Sequence, residues 1–247
     1  EEYQKLHKDI ISYVVFLRNK SLCTNVNSGL LKSWYNFPEV KQNWLGFSLN
    51  GNSGRGLGND FAKTLNHNFS TVLSDFGEEK ETHSHLEKLC LFKDGVGRDS
   101  ISDFTTNLIK EFLLEYTETF AKQYIDKKFC KNYAINKVSF NYETESWNSK
   151  SYYLPSFNGD YVLLTPMDIL TKDDTWINKD SMYHEFDAII FSMENEQLRA
   201  QLNNYFRKLL PKNAKQKDIN YAKTRTIYDF PEFIPAYIKY KEENGEK

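Results

Sequence analysis

The chain has 247 residues, of which 40% are apolar and 27% are charged, a composition typical of a globular protein that buries a core of its own. Its net charge of −2 argues against a protein that binds nucleic acid over its whole surface, so any such contact must be local. No run of 18 apolar residues occurs, and the sequence therefore predicts no membrane partner.

The compartment is predicted from the cysteines and the first residues. There are three cysteines, far apart and without a C-x-x-C pair, which favours a reducing compartment. The chain starts Glu1-Glu2-Tyr3-Gln4 and lacks the basic start and apolar run of a secretory signal. The abundance of lysine and asparagine is typical of AT-rich coding. We therefore expect a bacterial, cytoplasmic protein.

The first half of the chain predicts helices that alternate with short strands. Apolar residues at helical spacing indicate the helices, and short apolar runs between turn residues indicate the strands. In chain order, the predicted elements are a helix over 1–18, a short helix over 27–35, a strand over 44–49, a glycine-rich loop over 51–58, a helix with its apolar face over 61–73, and a strand over 85–92.

The second half predicts a long helix, a small antiparallel sheet and then helices again. The helix over 101–125 has the broadest apolar stripe, and Asn158-Gly159 is the best hairpin signal. Strands are expected over 135–142, 152–157 and 161–164, and helices over 180–193, 195–210 and 217–242.

The fold class that follows is α+β, predominantly helical with a small, mostly antiparallel sheet and a long central helix at about 101–125. We expect a single domain over 1–247, or a division into an α/β core over 1–170 and a helical C-terminal part over 171–247.

The glycine-rich loop, residues 51–58, is the first candidate site, because a strand, a glycine-rich turn and a helix can bind phosphate on backbone N–H groups. It contains neither Gly-Lys-Ser/Thr nor G-x-G-x-x-G. An ordinary surface turn is the alternative, and a small-molecule site over this loop is a third class of function.

Four carboxylates surround the junction between the strand at 85–92 and the long helix. Two glycines let the backbone bring such groups together, and converging carboxylates are what Mg²⁺ or Mn²⁺ requires. Arg98 lies among them and can bind a phosphate. The alternative is capping of the helix by Asp99 or Ser100. The candidate residues are Glu87, Asp94, Asp99 and Asp103.

A third candidate lies in the segment 141–150. Glu143 and Glu145 would point to one face of a strand, which is the E-x-E pattern of restriction-type nucleases. A solvated strand face explains the same pattern.

A basic stretch over 207–225 holds seven basic residues and one acidic residue, Asp218, interleaved with Tyr205, Phe206 and Tyr221. Positive charge with aromatic rings suits a nucleic-acid backbone and unstacked bases. A solvated helical surface, or a docking patch for an acidic partner, is the alternative. The basic residues are Arg207, Lys208, Lys212, Lys215, Lys217, Lys223 and Arg225.

The segments Asp94–Ile109 and Tyr153–Pro166 resemble parts of bacterial proteins that are associated with phage-defence and restriction loci. This resemblance implies either a metal-dependent nuclease effector or a subunit of a multi-protein defence complex.

The sequence-based hypothesis is therefore a metal-dependent phosphodiesterase that acts on nucleic acid in phage defence. Asp94, Asp99 and Asp103 would hold the metal, with help from Glu87 or from Glu143 and Glu145, and Arg98 or a lysine would stabilise charge on the phosphorus. The competing hypothesis is a non-catalytic subunit that binds a protein partner or a second copy of itself.

Overall fold

The computed structural model describes residues 2–22, 27–43, 76–79, 84–91, 98–170 and 177–244. The chain divides into two compact units. Unit 1 comprises residues 1–77 and 95–174, and unit 2 comprises residues 78–94 and 175–247. The described residues are mostly helical with a small antiparallel sheet, which confirms the predicted α+β class.

Unit 1 begins with two helices, α1 (Glu2–Ser21) and α2 (Ser28–Tyr35). The predicted apolar stripe of α1 is buried through Tyr13, Val14 and Leu17. Two tyrosine hydroxyls fasten these helices together, since Tyr13 donates to the carbonyl of Trp34 and Tyr35 donates to the carbonyl of Leu17, both at 2.7 Å.

The predicted long helix is present as two consecutive helices, α3 (Arg98–Leu108) and α4 (Lys110–Tyr124). They meet at Ile109, where φ is −98° and ψ is 14°. Hydrogen bonds from Ile109 N to Thr105 O and from Leu113 N to Ile109 O run across the junction at 3.0 and 3.1 Å. The interruption of the helix is therefore local and follows the departure of one residue from helical ψ.

The main sheet of unit 1 has three antiparallel strands, β1 (Cys130–Ile135), β4 (Lys150–Phe157) and β5 (Asp160–Tyr161), in the order β1-β4-β5. The predicted Asn158-Gly159 turn joins β4 to β5, since Phe157 pairs with Asp160. Two further short strands, β2 (Phe140–Asn141) and β3 (Ser146–Trp147), pair as a hairpin.

One cluster of buried side chains in unit 1 lies between α4 and the main sheet. Its members come from α4, from β1 and β4, and from connecting segments. They are Val40, Leu113, Leu114, Ile135, Val138, Tyr152, Leu154 and Leu163.

Unit 2 contains five helices among the residues that are described: α5 (Lys179–His184), α6 (Phe186–Ser192), α7 (Glu196–Leu209), α8 (Gln216–Asp229) and α9 (Phe233–Asn244). The helix predicted over 217–242 is interrupted at Pro231, which separates α8 from α9, because proline lacks the N–H that would continue a helix. Their core includes Phe186, Ile189, Leu202 and Phe233 together with Leu91.

The strand predicted over 85–92 is wrong, because Leu86–Leu91 forms a 3₁₀-helix. Leucines at 86 and 89 are three positions apart, which matches the three residues per turn of that helix. The predicted strand over 44–49, the glycine-rich loop over 51–58 and the helix over 61–73 lie outside the described residues. No helix within the described ranges combines the length and the apolar character that a membrane span needs.

Candidate nucleic-acid interface

The basic stretch 207–225 folds into a helical hairpin of unit 2, formed by α7 and α8, which pack against each other. Asn195 caps α7, because its side-chain oxygen accepts from Leu198 N at 3.0 Å. Pro211 follows the end of α7. Asp218 accepts from Lys215 N at 2.9 Å at the start of α8. Local hydrogen bonds thus define the start of each of the two helices.

Five of the seven predicted basic residues present exposed side chains around the connection between α7 and α8. No ion pair joins any of these five to another residue of the described chain, and the nearby Asp218 carboxylate is engaged with the backbone. Their charges therefore remain available to an anionic ligand. The five residues are Arg207, Lys208, Lys212, Lys215 and Lys217.

The other two basic residues serve the fold of unit 2. Lys223 Nζ donates to the carbonyl of Tyr183 at 2.6 Å and lies 5.3 Å from the centroid of the Phe186 ring. Arg225 pairs with Asp229 at 3.1 Å. Both side chains are half-buried, and we do not assign them to the interface with the five exposed cations.

One face of α8 combines charge with exposed aromatic rings. Lys217, Tyr221 and Tyr228 follow one another at spacings of four and seven residues, so they share a face of the helix. Tyr221 is 60% exposed and Tyr228 is 78% exposed. The buried side chains of α8, Ala222 and Thr226, lie on the opposite face, so the tyrosines do not contribute to the core.

The predicted aromatic set is only partly available. Tyr221 is exposed, whereas Phe206 packs against the Phe186 ring at 5.0 Å. The Tyr205 hydroxyl donates to the carboxylate of Asp229. That hydrogen bond raises the pKa of Tyr205, and the negative charge of Asp229 raises the pKa of Arg225. Tyr205 therefore belongs to a polar cluster rather than to a free stacking surface.

Tyr228 lies outside the predicted basic stretch, which ends at Arg225. The Arg225 guanidinium lies 5.8 Å from the centroid of the Tyr228 ring. The signal was present in the sequence, because Tyr228 stands seven residues after Tyr221 and two helical turns return to the same face. The two rings are separated by about 10 Å along the helix axis.

Only part of the predicted carboxylate site falls within the described chain. Asp94 and the side chains of Arg98 and Asp99 lie outside it. Because α3 begins at Arg98, Asp99 and Asp103 are one helical turn apart, as the hypothesis required. The backbone carbonyl of Asp103 accepts a hydrogen bond from the side-chain amide of Asn107 at 2.8 Å.

The predicted E-x-E strand is wrong. Glu143 and Glu145 occupy the turn between β2 and β3, because the Asn141 side chain accepts from the backbone N–H groups of Glu143 and Thr144 at 2.9 and 3.1 Å and closes the turn. Glu145 has a φ of 49° and pairs with Lys20. The two glutamates therefore do not share a strand face.

Glu87 lies in unit 2, on the 3₁₀-helix, with its carboxylate 3.9 Å from the His85 ring. In the described ranges there is no group of three or more His, Cys, Asp or Glu side chains arranged to hold a metal ion. Binding of Mg²⁺ or Mn²⁺ by the acidic junction stays a prediction.

Comparison with known proteins gives one match. A family model described as a domain of unknown function, DUF8370, matches residues 1–178. Neither a curated protein nor a solved structure matches the chain. The matched residues include all the described helices and strands of unit 1, whereas the α7–α8 hairpin lies beyond them.

Proposed function

The chain belongs to the DUF8370 family, and we propose that it binds nucleic acid through the α7–α8 hairpin of unit 2. The observation that carries this proposal is the set of five exposed cations around one helix connection, none of them in an ion pair with the described residues. Phosphate groups release counterions when such cations neutralise them, and this release supplies most of the affinity of sequence-independent binding.

A single strand is the form of nucleic acid that this surface favours. Tyr221 is exposed one turn after Lys217, and Tyr228 is exposed two turns further along the same face of α8. Unpaired bases stack on such rings, whereas the bases of a duplex are already stacked on one another. We expect little sequence preference, because every base has a face that can stack.

The test measures binding of fluorescein-labelled single-stranded DNA, single-stranded RNA and duplex DNA by fluorescence anisotropy at several salt concentrations. The variant Lys212→Gln/Lys215→Gln/Lys217→Gln should bind single strands at least tenfold more weakly. The slope of log K against log salt is negative, and its magnitude should fall by about 2 in this variant. Each phosphate contact contributes about 0.7 for a single strand, and three lysines are replaced.

The matched control is Lys8→Gln/Lys127→Gln/Lys131→Gln, which changes the net charge equally through exposed lysines of unit 1. This control should retain the affinity and the salt slope of the parent. Equal losses in both variants would show that binding follows the net charge rather than the hairpin, and undetectable binding by the parent would overturn the proposal.

Metal-dependent hydrolysis is the second candidate function, favoured by the start of α3 at Arg98, which sets Asp99 and Asp103 one turn apart. Asp99 and Asp103 would bind Mg²⁺ or Mn²⁺ through their carboxylates, and Arg98 or a lysine would stabilise charge on the phosphorus. The same substrates, incubated with either metal, provide the assay. Cleavage by the parent and none by a folded Asp99→Ala/Asp103→Ala variant would support hydrolysis.

Phage defence is the biological setting that we propose. The basis is the resemblance of segments 94–109 and 153–166 to bacterial proteins that are associated with phage-defence and restriction loci. Binding without cleavage is the result expected of a non-catalytic subunit of a defence complex. Binding with metal-dependent cleavage is the result expected of a nuclease effector. The two assays together therefore distinguish these two roles.

A further inference from the structure

Unit 1 contains a cleft of about 300 Å³ that none of the roles above uses. Its walls come from α1, from the α3–α4 junction at Leu108 and Ile109, and from the β2–β3 hairpin. This volume lies at the small end of the range for small-molecule sites. All of the lining residues fall within the residues matched by the family model.

Aromatic rings form the floor of the cleft. Tyr13, Phe140, Tyr142 and Trp147 line it, and Phe140 contacts the other three rings with centroid separations of 4.9, 5.2 and 5.3 Å. Hydrogen bonds hold two of the rings in place, because Tyr13 donates to the Trp34 carbonyl at 2.7 Å and Trp147 donates to the Ser33 carbonyl at 3.0 Å. The floor is therefore an apolar surface built in advance of any ligand.

Charged side chains form the rims. Lys5 and Asp9 stand one turn apart on α1, and Glu111 and Glu115 stand one turn apart on α4. Three carboxylates thus face one ammonium among the lining residues. This balance repels a phosphate or a carboxylate and attracts a cation.

The carboxylates are not fully neutralised by the surrounding protein. Lys150, which lies outside the lining, pairs with Glu115 at 2.9 Å and more distantly with Glu111 at 3.8 Å. Asp9 is exposed and has no ion-pair partner among the described residues. Burial and the nearby charge of Asp9 raise the pKa of Tyr142 to about 12. The Tyr142 hydroxyl, which is protonated at neutral pH as in any tyrosine, can act as a donor.

We propose that this cleft binds a protonated organic amine with an aromatic body, which packs on the ring floor while its ammonium group faces the rim carboxylates. Aromatic faces attract cations, and a protonated amine forms charge-assisted hydrogen bonds with carboxylates. All of the residues that line this site belong to unit 1, whereas the α7–α8 hairpin belongs to unit 2.

The experiment uses the full chain and two probe amines, phenethylamine and tryptamine. Their matched controls are 3-phenylpropionate and indole-3-propionate, which keep the ring and the linker and replace the ammonium by a carboxylate. Binding is measured by isothermal calorimetry and by ligand-observed NMR. Both amines should bind saturably, and both carboxylates should bind at least tenfold more weakly.

Two variants probe the rim and the floor. Asp9→Asn should weaken binding of the amines by about three- to tenfold, the range expected when one charge-assisted contact is lost. Tyr142→Ala, which removes a ring that is 47% exposed, should weaken it by about fivefold.

Matched controls lie outside the cleft but within unit 1. Asp126→Asn removes an exposed carboxylate, and Tyr124→Ala removes a ring that is 65% exposed, so neither should change the affinity more than twofold. Circular dichroism checks that every variant is folded. The proposal is overturned if neither amine binds saturably at millimolar concentration, if the carboxylate probes bind equally well, or if the controls lose as much affinity as the cleft variants.

Discussion

Lys110, the first residue of α4, is only 7% exposed and has no hydrogen bond or ion pair with the described residues. Burial, followed by the charge of the nearby Lys137, lowers its pKa from 10.5 to about 8. A positive charge at the start of a helix is also unfavourable, because the helix dipole places partial positive charge there. The protonated form of this lysine therefore destabilises the folded state at neutral pH.

Replacing Lys110 by methionine should increase the free energy of unfolding at pH 7 by about 2 kcal/mol, because a buried charge is removed and the apolar stem is retained. Between pH 8 and 10.5 the unfolded chain holds this proton more tightly than the folded chain, so the parent regains stability as the pH rises. The increase in the free energy of unfolding caused by Lys110→Met should therefore be several-fold smaller at pH 10 than at pH 7. Urea denaturation at both pH values measures it.

Lys131→Met is the control for that comparison, because Lys131 is exposed on β1. Its effect should stay within about 0.5 kcal/mol and should not depend on pH. A gain for Lys110→Met that is equal at pH 7 and pH 10 would contradict the assigned titration.

Tyr221 provides a second prediction at the scale of the residue. Tyr221→Ala should weaken binding of single-stranded DNA by about tenfold, within the range of one stacked base, whereas Tyr221→Phe should bind like the parent because the ring is kept. Fluorescence anisotropy measures both. A loss for the phenylalanine variant equal to that of the alanine variant would assign the effect to the hydroxyl and not to stacking.

At the scale of the element, the β4–β5 turn depends on two residues with positive φ, Asn158 at 49° and Gly159 at 86°. This is the type I′ geometry, which favours Asn-Gly. Nothing lies within 4 Å of a Cβ added at Gly159, so the cost of a side chain there is conformational and not steric.

Gly159→Ala should therefore lower the free energy of unfolding by about 1 kcal/mol. Asn158→Gly should change it by only a few tenths of a kcal/mol, roughly the cost of extra freedom in the unfolded chain. Denaturation in urea compares the two variants. Equal losses would indicate that the Asn158 side chain, rather than backbone conformation, stabilises the turn.

The elements also show which parts of the fold could be predicted. The Asn158-Gly159 hairpin was predictable, because two adjacent residues determine its backbone locally. The 3₁₀-helix at Leu86–Leu91 was not predictable, because the spacing of its leucines is compatible with both a short strand and a 3₁₀-helix. In addition, Leu91 is buried by helices that lie far along the chain. The glutamates at 143 and 145 were misassigned because the Asn141 side chain closes a turn that alternation of residues does not reveal.

The candidate interface was predictable only in part, because the sequence shows which residues are charged but not which of them form ion pairs. Charge density in 207–225 can be counted from the sequence, but ion pairs cannot, and the pairing of Arg225 with Asp229 removes one cation from the predicted set. Burial of Lys110 was equally hidden, because a lysine within an amphipathic helix gives no sign that its end is buried.

At the scale of the whole molecule, the two clusters of buried side chains described above belong to different units. We expect two transitions in differential scanning calorimetry. Phe186→Ala, in unit 2, should lower the melting temperature of one transition, and Leu114→Ala, in unit 1, should lower that of the other, each at a cost of about 3 kcal/mol. A single transition shifted by both variants would contradict this expectation.

The burial of Leu91 among the C-terminal helices, at 6% exposure, limits how the gene can recombine. The codons for the 3₁₀-helix lie upstream of those for β1 to β5, yet they encode part of the core completed by α5 to α9. A crossover that exchanged only the 3′ end would bring in helices selected against a different partner at position 91. A functional exchange of the C-terminal helices would therefore have to include the codons for the 3₁₀-helix as well.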